Sequence, residues 1–441
     1  MTSTGILSTT LLIMTLVSQA IVPKRRQVIV LTGAVVTVLI AVLSKGTTVG
    51  QLYKDMPWNV IVILVALGMF SRVVARSNVF GTVAVKAAQI SKGSEILLLL
   101  LFSSAMFFLS CFLNNLTALL LCLPVILTVI ESMALSQRFL SICLSLVIVA
   151  CNLGGAATPI GDFPAILLLG TGVISFQSYL LRAAPICAVL FGLLCLTYYL
   201  VYRNVCSHST RDPGATVALA LLAQMYRRTT INWRVLAPAS VILGLMFVMW
   251  TTSPRSLNLT PDIIAVAGLG LMLLVARRTG EEVARNEVDS ESIVFFTSLF
   301  LMVLAVSSCG VLEAAADLLL GLSRQPRLMV IIFILVAGIL TSLFSAGPAM
   351  AACLPVAQRM EPEGCSDALY VALALAVCAG SSLFLTAATS GPLAQNIVER
   401  KELITRAGSV GTFSFRDYLV NGVLSFCLII TVAVFYGAVF F

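Results

Sequence analysis

The chain is 441 residues long, 59% hydrophobic and 10% charged, with a formal net charge of +8. A soluble domain carries about 25% charged residues, so a soluble fold is excluded, and continuous rather than alternating apolar runs exclude a membrane β-barrel. Nor is the positive charge a nucleic-acid footprint: the basic residues lie in short loops between apolar runs, as the cytoplasmic excess of Lys and Arg in membrane proteins predicts.

Apolar runs long enough to cross a bilayer as helices recur along the whole chain. The first covers 4–21 and is followed, not preceded, by Lys24, Arg25 and Arg26, which argues for a retained helix that starts outside rather than a cleaved leader. Spans over 27–43 and 57–75 come next. Residues 95–134 form two apolar arms around a polar tip, "NNLT". An interrupted span over 139–170 and a span over 183–202 close the first half. The 203–234 loop contains "TVALALLAQMYRR", expected to lie on the membrane surface as an amphipathic helix. Beyond it come spans at 235–252, 260–276 and 291–309, a second two-armed piece at 328–358, an interrupted span at 366–396 and a last span at 419–440. The twelve cysteines lie mostly inside these runs and never form Cys-x-x-Cys, so they read as small core residues.

Alternating the spans with both termini outside puts most of the basic residues, Arg72, Arg76, Arg227 and Arg278 among them, on the inner side. The halves also repeat. "NNLTALLLCLPV" from Asn114 aligns without gaps on "SAGPAMAACLPV" from Ser345, and "VISFQSYL" from Val173 answers "TFSFRDYL" from Thr412. Equivalent spans then run in opposite directions. The expected fold is an all-α integral membrane protein, an inverted-topology repeat of two five-span halves, each with a re-entrant helical hairpin and a broken helix. Its parts are a first repeat at 1–203, a cytoplasmic linker at 204–233 and a second repeat at 234–441.

Irregular backbone at membrane depth is tolerated only where it is buried in protein or lines a wet cavity. Asn114, Asn115 and Thr117 therefore read as the tip of a hairpin offering amides, a hydroxyl and freed backbone groups to an ion or small polar solute. Two ordinary spanning helices with asparagines bonded across their interface are the competing reading. In "ACNLGGAATPIGDFPAILLL" the run is expected to break at Gly154–Gly155, pass through Thr158 and Gly161, and restart at Asp162. Asp162 is an excellent helix cap and also the one carboxylate of the first half placed well inside a span, where such groups mark ion or proton pathways. Asn152 precedes the break. The second half supplies Thr386, Thr389, Ser390 and Gly391 ahead of Pro392, and a second tip at Ser345 and Gly347.

The Asn-Asn-x-Thr tip and "NLGGAATPIGDFP" resemble the ion transporter superfamily, which includes arsenite permeases, NhaD-type sodium/proton antiporters, the melanosomal P protein, citrate transporters and divalent anion/sodium symporters. The resemblance covers nearly the whole chain. It implies a site between the two hairpin tips and the two broken helices, elevator-type motion, coupling to sodium or protons, and a homodimer. The chain departs from the family at Asn114, Leu116, Ala165 and Ala346. The single histidine, His208, lies in the loop, and there is neither a phosphate-binding Gly-rich loop nor a nucleophile elbow, so no enzyme is expected. The expected function is a secondary permease for a small inorganic or carboxylate anion, without a cofactor, in a plasma or inner membrane. A sodium/proton antiporter and a transport-dead membrane scaffold are the alternatives.

Overall fold

Most described apolar stretches are helical, because only internal hydrogen bonding satisfies a backbone shielded from water. The computed structural model describes residues 3–21, 25–44, 46–133, 135–206, 231–252, 259–311, 314, 317–318, 321, 325–360, 366–388, 390–401, 404 and 410–440. Among the described residues there are nineteen helices and no strand, only an isolated bridge between Ile404 and Val410. The first half holds α1 (Ser3–Ile21), α2 (Arg26–Leu43), α3 (Val49–Asp55), α4 (Trp58–Ala75) and α5 (Val79–Ser91). The arms of the first hairpin follow as α6 (Glu95–Ser110) and α7 (Asn115–Ser132), then α8 (Gln137–Ala157), α9 (Phe163–Gly170) and α10 (Phe176–Cys206). The second half runs through α11 (Trp233–Thr252), α12 (Pro261–Ala276), α13 (Arg278–Asn286) and α14 (Ser290–Ser308). Its remaining helices are α15 (Pro326–Phe344), α16 (Ala346–Met360), α17 (Ser366–Ser381), α18 (Gly391–Lys401) and α19 (Phe415–Phe440). Eight of the described helices are long and apolar enough to cross a membrane.

Several boundaries differ from the sequence reading. The break in the first half begins at Thr158, since α8 continues helically through Gly154 and Gly155 to Ala157. These glycines serve close approach instead: a Cβ at 154 would sit 2.2 Å from the Phe107 carbonyl oxygen, and one at 155 would sit 2.5 Å from the Asn115 side chain. The last half-span extends to Lys401, and α10 starts at Phe176 and carries Pro185 inside it. Helices α3, α5 and α13 were not expected. A capping box between Thr48 and Gln51 nucleates α3, and α13 is a polar surface helix that buries Gly280 and Val283. The expected surface helix over 216–228 and Thr389 lie outside the described residues.

At the centre, α8 is buried from Phe139 through Ala157, and α17 is buried from Ala368 through Ala379. A helix apolar all round is stable only when enclosed, and these two touch each other. Around them α6 packs on α8, α15 on α17, α10 on α8 and α19 on both. A second group packs mainly within itself: α1 on α2, α2 on α14, α11 on α12 and α12 on α4. The groups meet where α4 touches α9 and α14 touches α16. Large apolar side chains such as Leu39, Val189, Leu200, Leu245, Leu274, Val420 and Phe435 face outward. Such faces suit lipid, where helices associate through tight packing and interhelical hydrogen bonds rather than the hydrophobic effect.

Candidate functional site

The first hairpin turns at Cys111–Asn114, and its geometry follows from capping. Asn114 Oδ1 accepts the Leu116 N–H at 2.9 Å and starts α7. Asn115 is buried and turned the other way, its amide meeting the Ser110 hydroxyl, which also donates to the Cys151 carbonyl at 2.7 Å. The Thr158 hydroxyl donates to the Cys111 carbonyl, and the Cys151 thiol donates to the Asn115 carbonyl at 3.4 Å. The tip is thus fastened to the break in the neighbouring helix by hydrogen bonds at its base. Asp162 then caps α9, its Oδ1 accepting the Phe163 N–H at 2.8 Å.

The breaks release carbonyls, and the structure satisfies one in each half the same way. Tyr179 donates its hydroxyl to the Ala156 carbonyl at 2.8 Å, and Tyr418 donates to the Ser382 carbonyl at 2.9 Å. Both tyrosines are buried and hold the same place in "VISFQSYL" and "TFSFRDYL". Sequence reasoning noted the repeat but gave these residues no role.

Tips and breaks converge on one cavity of about 450 Å³. Of the expected site residues, Asn114, Asn115, Thr117, Asp162, Ser345, Gly347 and Thr386 line it. The others that are described, Asn152, Gly154, Gly155, Thr158, Gly161, Ser390 and Gly391, lie behind the wall. Asn152 donates to the Ser381 carbonyl at 3.3 Å and so joins α8 to the end of α17. A Cβ at Gly161 would meet the Ser110 carbonyl, and one at Gly391 would meet the Leu385 carbonyl. Ser390 is fully buried with its hydroxyl unpartnered. Ser345 holds the second tip at φ 75° and ψ 163°, a backbone region that disfavours side chains. Phe163 stacks on Phe296 with centroids 4.0 Å apart, and both rings border the space where a Gly347 side chain would sit.

Four wall residues had been read only as loop charges or not at all. Arg72 and Arg76 come from the end of α4, and Glu287 and Asp289 from the approach to α14. Arg72 lies 3.8 Å from Asp289, and Arg76 is paired with Glu287. Their hydrogen bond and mutual attraction hold the Arg76 guanidinium above its ordinary pKa.

A sequence profile of citrate transporters matches residues 10–380 of this chain. The chain belongs to the citrate transporter family. The relatives of this family member include the magnetosome protein MamN of Magnetospirillum gryphiswaldense, 28% identical over 417 residues that make up 93% of each chain. A 46 kDa membrane protein of Mycobacterium leprae is 27% identical over 89% of each chain. An uncharacterized transporter of Mycobacterium tuberculosis is 26% identical over 80% of this chain and 83% of its own length. Family and relatives agree with the apolar helices: the molecule is a multi-pass integral membrane protein, a transporter within the ion transporter superfamily and not an enzyme.

Proposed function

We propose that this citrate transporter family member is a secondary active permease for a small inorganic or carboxylate anion, driven by a sodium or proton gradient. One observation carries the anion: four helix N-termini end at the same cavity. They are those of α7 at Asn114–Thr117, α9 at Asp162–Phe163, α16 at Ser345–Pro348 and α18 near Pro392. Each turns the positive end of a helix dipole toward the cavity, so together they favour negative charge. The site residues would be Asn114, Asn115, Thr117, Asp162, Ser345, Gly347 and Thr386, with those behind the wall holding the tips in place.

An inverted repeat is supported by exchanged packing, α2 on α14 against α12 on α4, and α9 on α16 against α18 on α7. Matching prolines at Pro124 and Pro355 and the paired tyrosines point the same way. Contacts between the halves pair residues that alternating spans put on the same face: Ser8 with Cys309 and Arg182 with Asp367 at one face, Lys401 with Glu131 and Arg76 with Glu287 at the other. Alternating access would carry the group containing the tips past the group containing α4 and α14, with a homodimer supplying a fixed frame.

The test is uptake of radiolabelled citrate, phosphate and sulfate into proteoliposomes under imposed sodium and pH gradients. Gradient-dependent accumulation of an anion is the expected result. Exchange of sodium for protons without anion movement would replace this reading by an antiporter, for which the wall position of Asp162 speaks. Absence of any transport would leave a membrane scaffold.

A further inference from the structure

Five charged residues line the cavity, and four of them gather at its rim. Arg72 and Arg76 stand one turn apart, four residues along the chain, and so share one face of the end of α4. Their side chains are 35% and 49% exposed, and those of Asp289 and Glu287 are 37% and 22% exposed. The tip residue Asn115, by contrast, is 3% exposed. An anion arriving from this side meets the guanidiniums before it meets the helix N-termini.

The Arg72 pairing there is loose in an informative way, while Arg76 is hydrogen-bonded to Glu287. Asp289 is already committed to its own helix: Oδ1 accepts the Ser292 N–H at 3.0 Å, and Oδ2 accepts the Ser292 hydroxyl at 2.8 Å. Arg72 reaches it only at 3.8 Å. Each guanidinium holds five donors in a fork that suits two oxygens of one carboxylate or oxyanion. Here each ion pair joins one guanidinium nitrogen to one carboxylate oxygen. Exposed pairs of this kind add little to stability, so exchanging one carboxylate for another costs little.

We propose that Arg72 and Arg76 form a second anion-binding subsite at the cavity rim. It takes a free carboxylate or oxyanion in exchange for Asp289 and Glu287 and passes it to the helix N-termini at the tips. The inference rests on the anion reading above. Glu287 and Asp289 act as place-holders: they neutralise the guanidiniums when no solute is bound and compete with it when one arrives. The rim therefore binds weakly and reversibly, which suits a relay better than a trap.

The two sides of the pair make opposite predictions. In phosphatidylcholine vesicles, Arg72→Gln and Arg76→Gln are each expected to raise KM about tenfold for whichever of citrate, phosphate or sulfate the wild type takes up, with little change in Vmax. Glu287→Gln removes the competitor and is expected to lower KM about threefold. A merely structural pair would make Glu287→Gln behave like Arg76→Gln, and that result overturns the subsite. Improved affinity cannot arise from misfolding, so the Glu287 variant decides even where an Arg variant folds poorly. Uptake by the wild type with unchanged KM in all three variants overturns the subsite alone. No uptake of any of the three anions by the wild type overturns both the subsite and the anion reading. Repeating the series with phosphatidylglycerol added separates the two sources of oxyanion. A difference between wild type and Arg76→Gln seen only in its presence would assign the guanidiniums to lipid headgroups and overturn the proposal.

Discussion

Tyr179→Phe and Tyr418→Phe test how the broken helices are held open. Each change deletes one oxygen and leaves the ring, so no cavity of consequence follows. What is lost is the hydroxyl that donates to the Ala156 carbonyl at 2.8 Å or the Ser382 carbonyl at 2.9 Å. Both tyrosines lie within the buried core, at 1% and 0% exposure, where no water replaces the donor readily. Leaving a buried acceptor unsatisfied costs about 1–3 kcal/mol, more than the net value of an ordinary hydrogen bond. Since about 1.4 kcal/mol is a factor of ten, local opening of each break is expected to rise roughly five- to one-hundred-and-forty-fold. Hydrogen exchange on peptides spanning 156–162 and 382–391, beside thermal melts in detergent, reads this directly. The two variants are expected to match in size, each loosening its own break more than the other. Unchanged exchange at 156–162 in Tyr179→Phe would refute the reasoning, because the carbonyl would then be satisfied without the hydroxyl.

Asp162→Asn keeps an acceptor for the Phe163 N–H and is expected to melt within about 0.5 kcal/mol of wild type, whereas Asp162→Ala loses the cap and about 0.5–2 kcal/mol. If Asp162 carries the coupling charge, the Asn variant also loses gradient-driven uptake; wild-type coupling in it would reduce Asp162 to a cap. Cysteines at 114 and 117 are expected to react with small hydrophilic thiol reagents and to be protected by substrate, while one at 115 reacts far more slowly; equal rates at 115 and 117 would contradict the inward turn of Asn115. Gly155→Ala places a methyl 2.5 Å from the Asn115 side chain and is expected to destabilise the tip by about 1–3 kcal/mol, read as a lower melting temperature and faster exchange at 110–116. Ser345→Gly relieves the backbone at φ 75° and is expected to raise stability by about 1 kcal/mol; a lower melting temperature would show that the hydroxyl matters more than the strain.

Much of this architecture was legible because a bilayer leaves the chain few options. Apolar length alone locates the spans. The Asn114–Asn115 tip and the Asp162 restart were visible as polar groups with no business in lipid unless a cavity or a cap received them. Gly154 and Gly155 misled for a physical reason: glycine marks both a released backbone and a close approach, and only the position of the Phe107 carbonyl tells them apart. Tyr179 and Tyr418 were hidden because a tyrosine in an apolar run is ordinary, and its hydroxyl acquires meaning only beside a freed carbonyl. The charge rule assigned Arg72 and Arg76 to inner loops, and nothing in their spacing revealed that Glu287 and Asp289, more than two hundred residues on, would meet them at the cavity rim.

The way the halves interlock bears on how the protein is made. Lys401, near the end of α18, reaches back to the Thr128 hydroxyl at 2.7 Å and to Glu131 at 3.3 Å, on an arm of the first hairpin. Asn152 likewise waits for the carbonyl of Ser381, and α2 for the face of α14. A ribosome delivers the first half long before those partners exist. For that interval the nascent chain holds polar groups and a half-finished hairpin in the bilayer without their native contacts. Its early insertion states therefore lack these native partners, and the later helices are the ones that supply them.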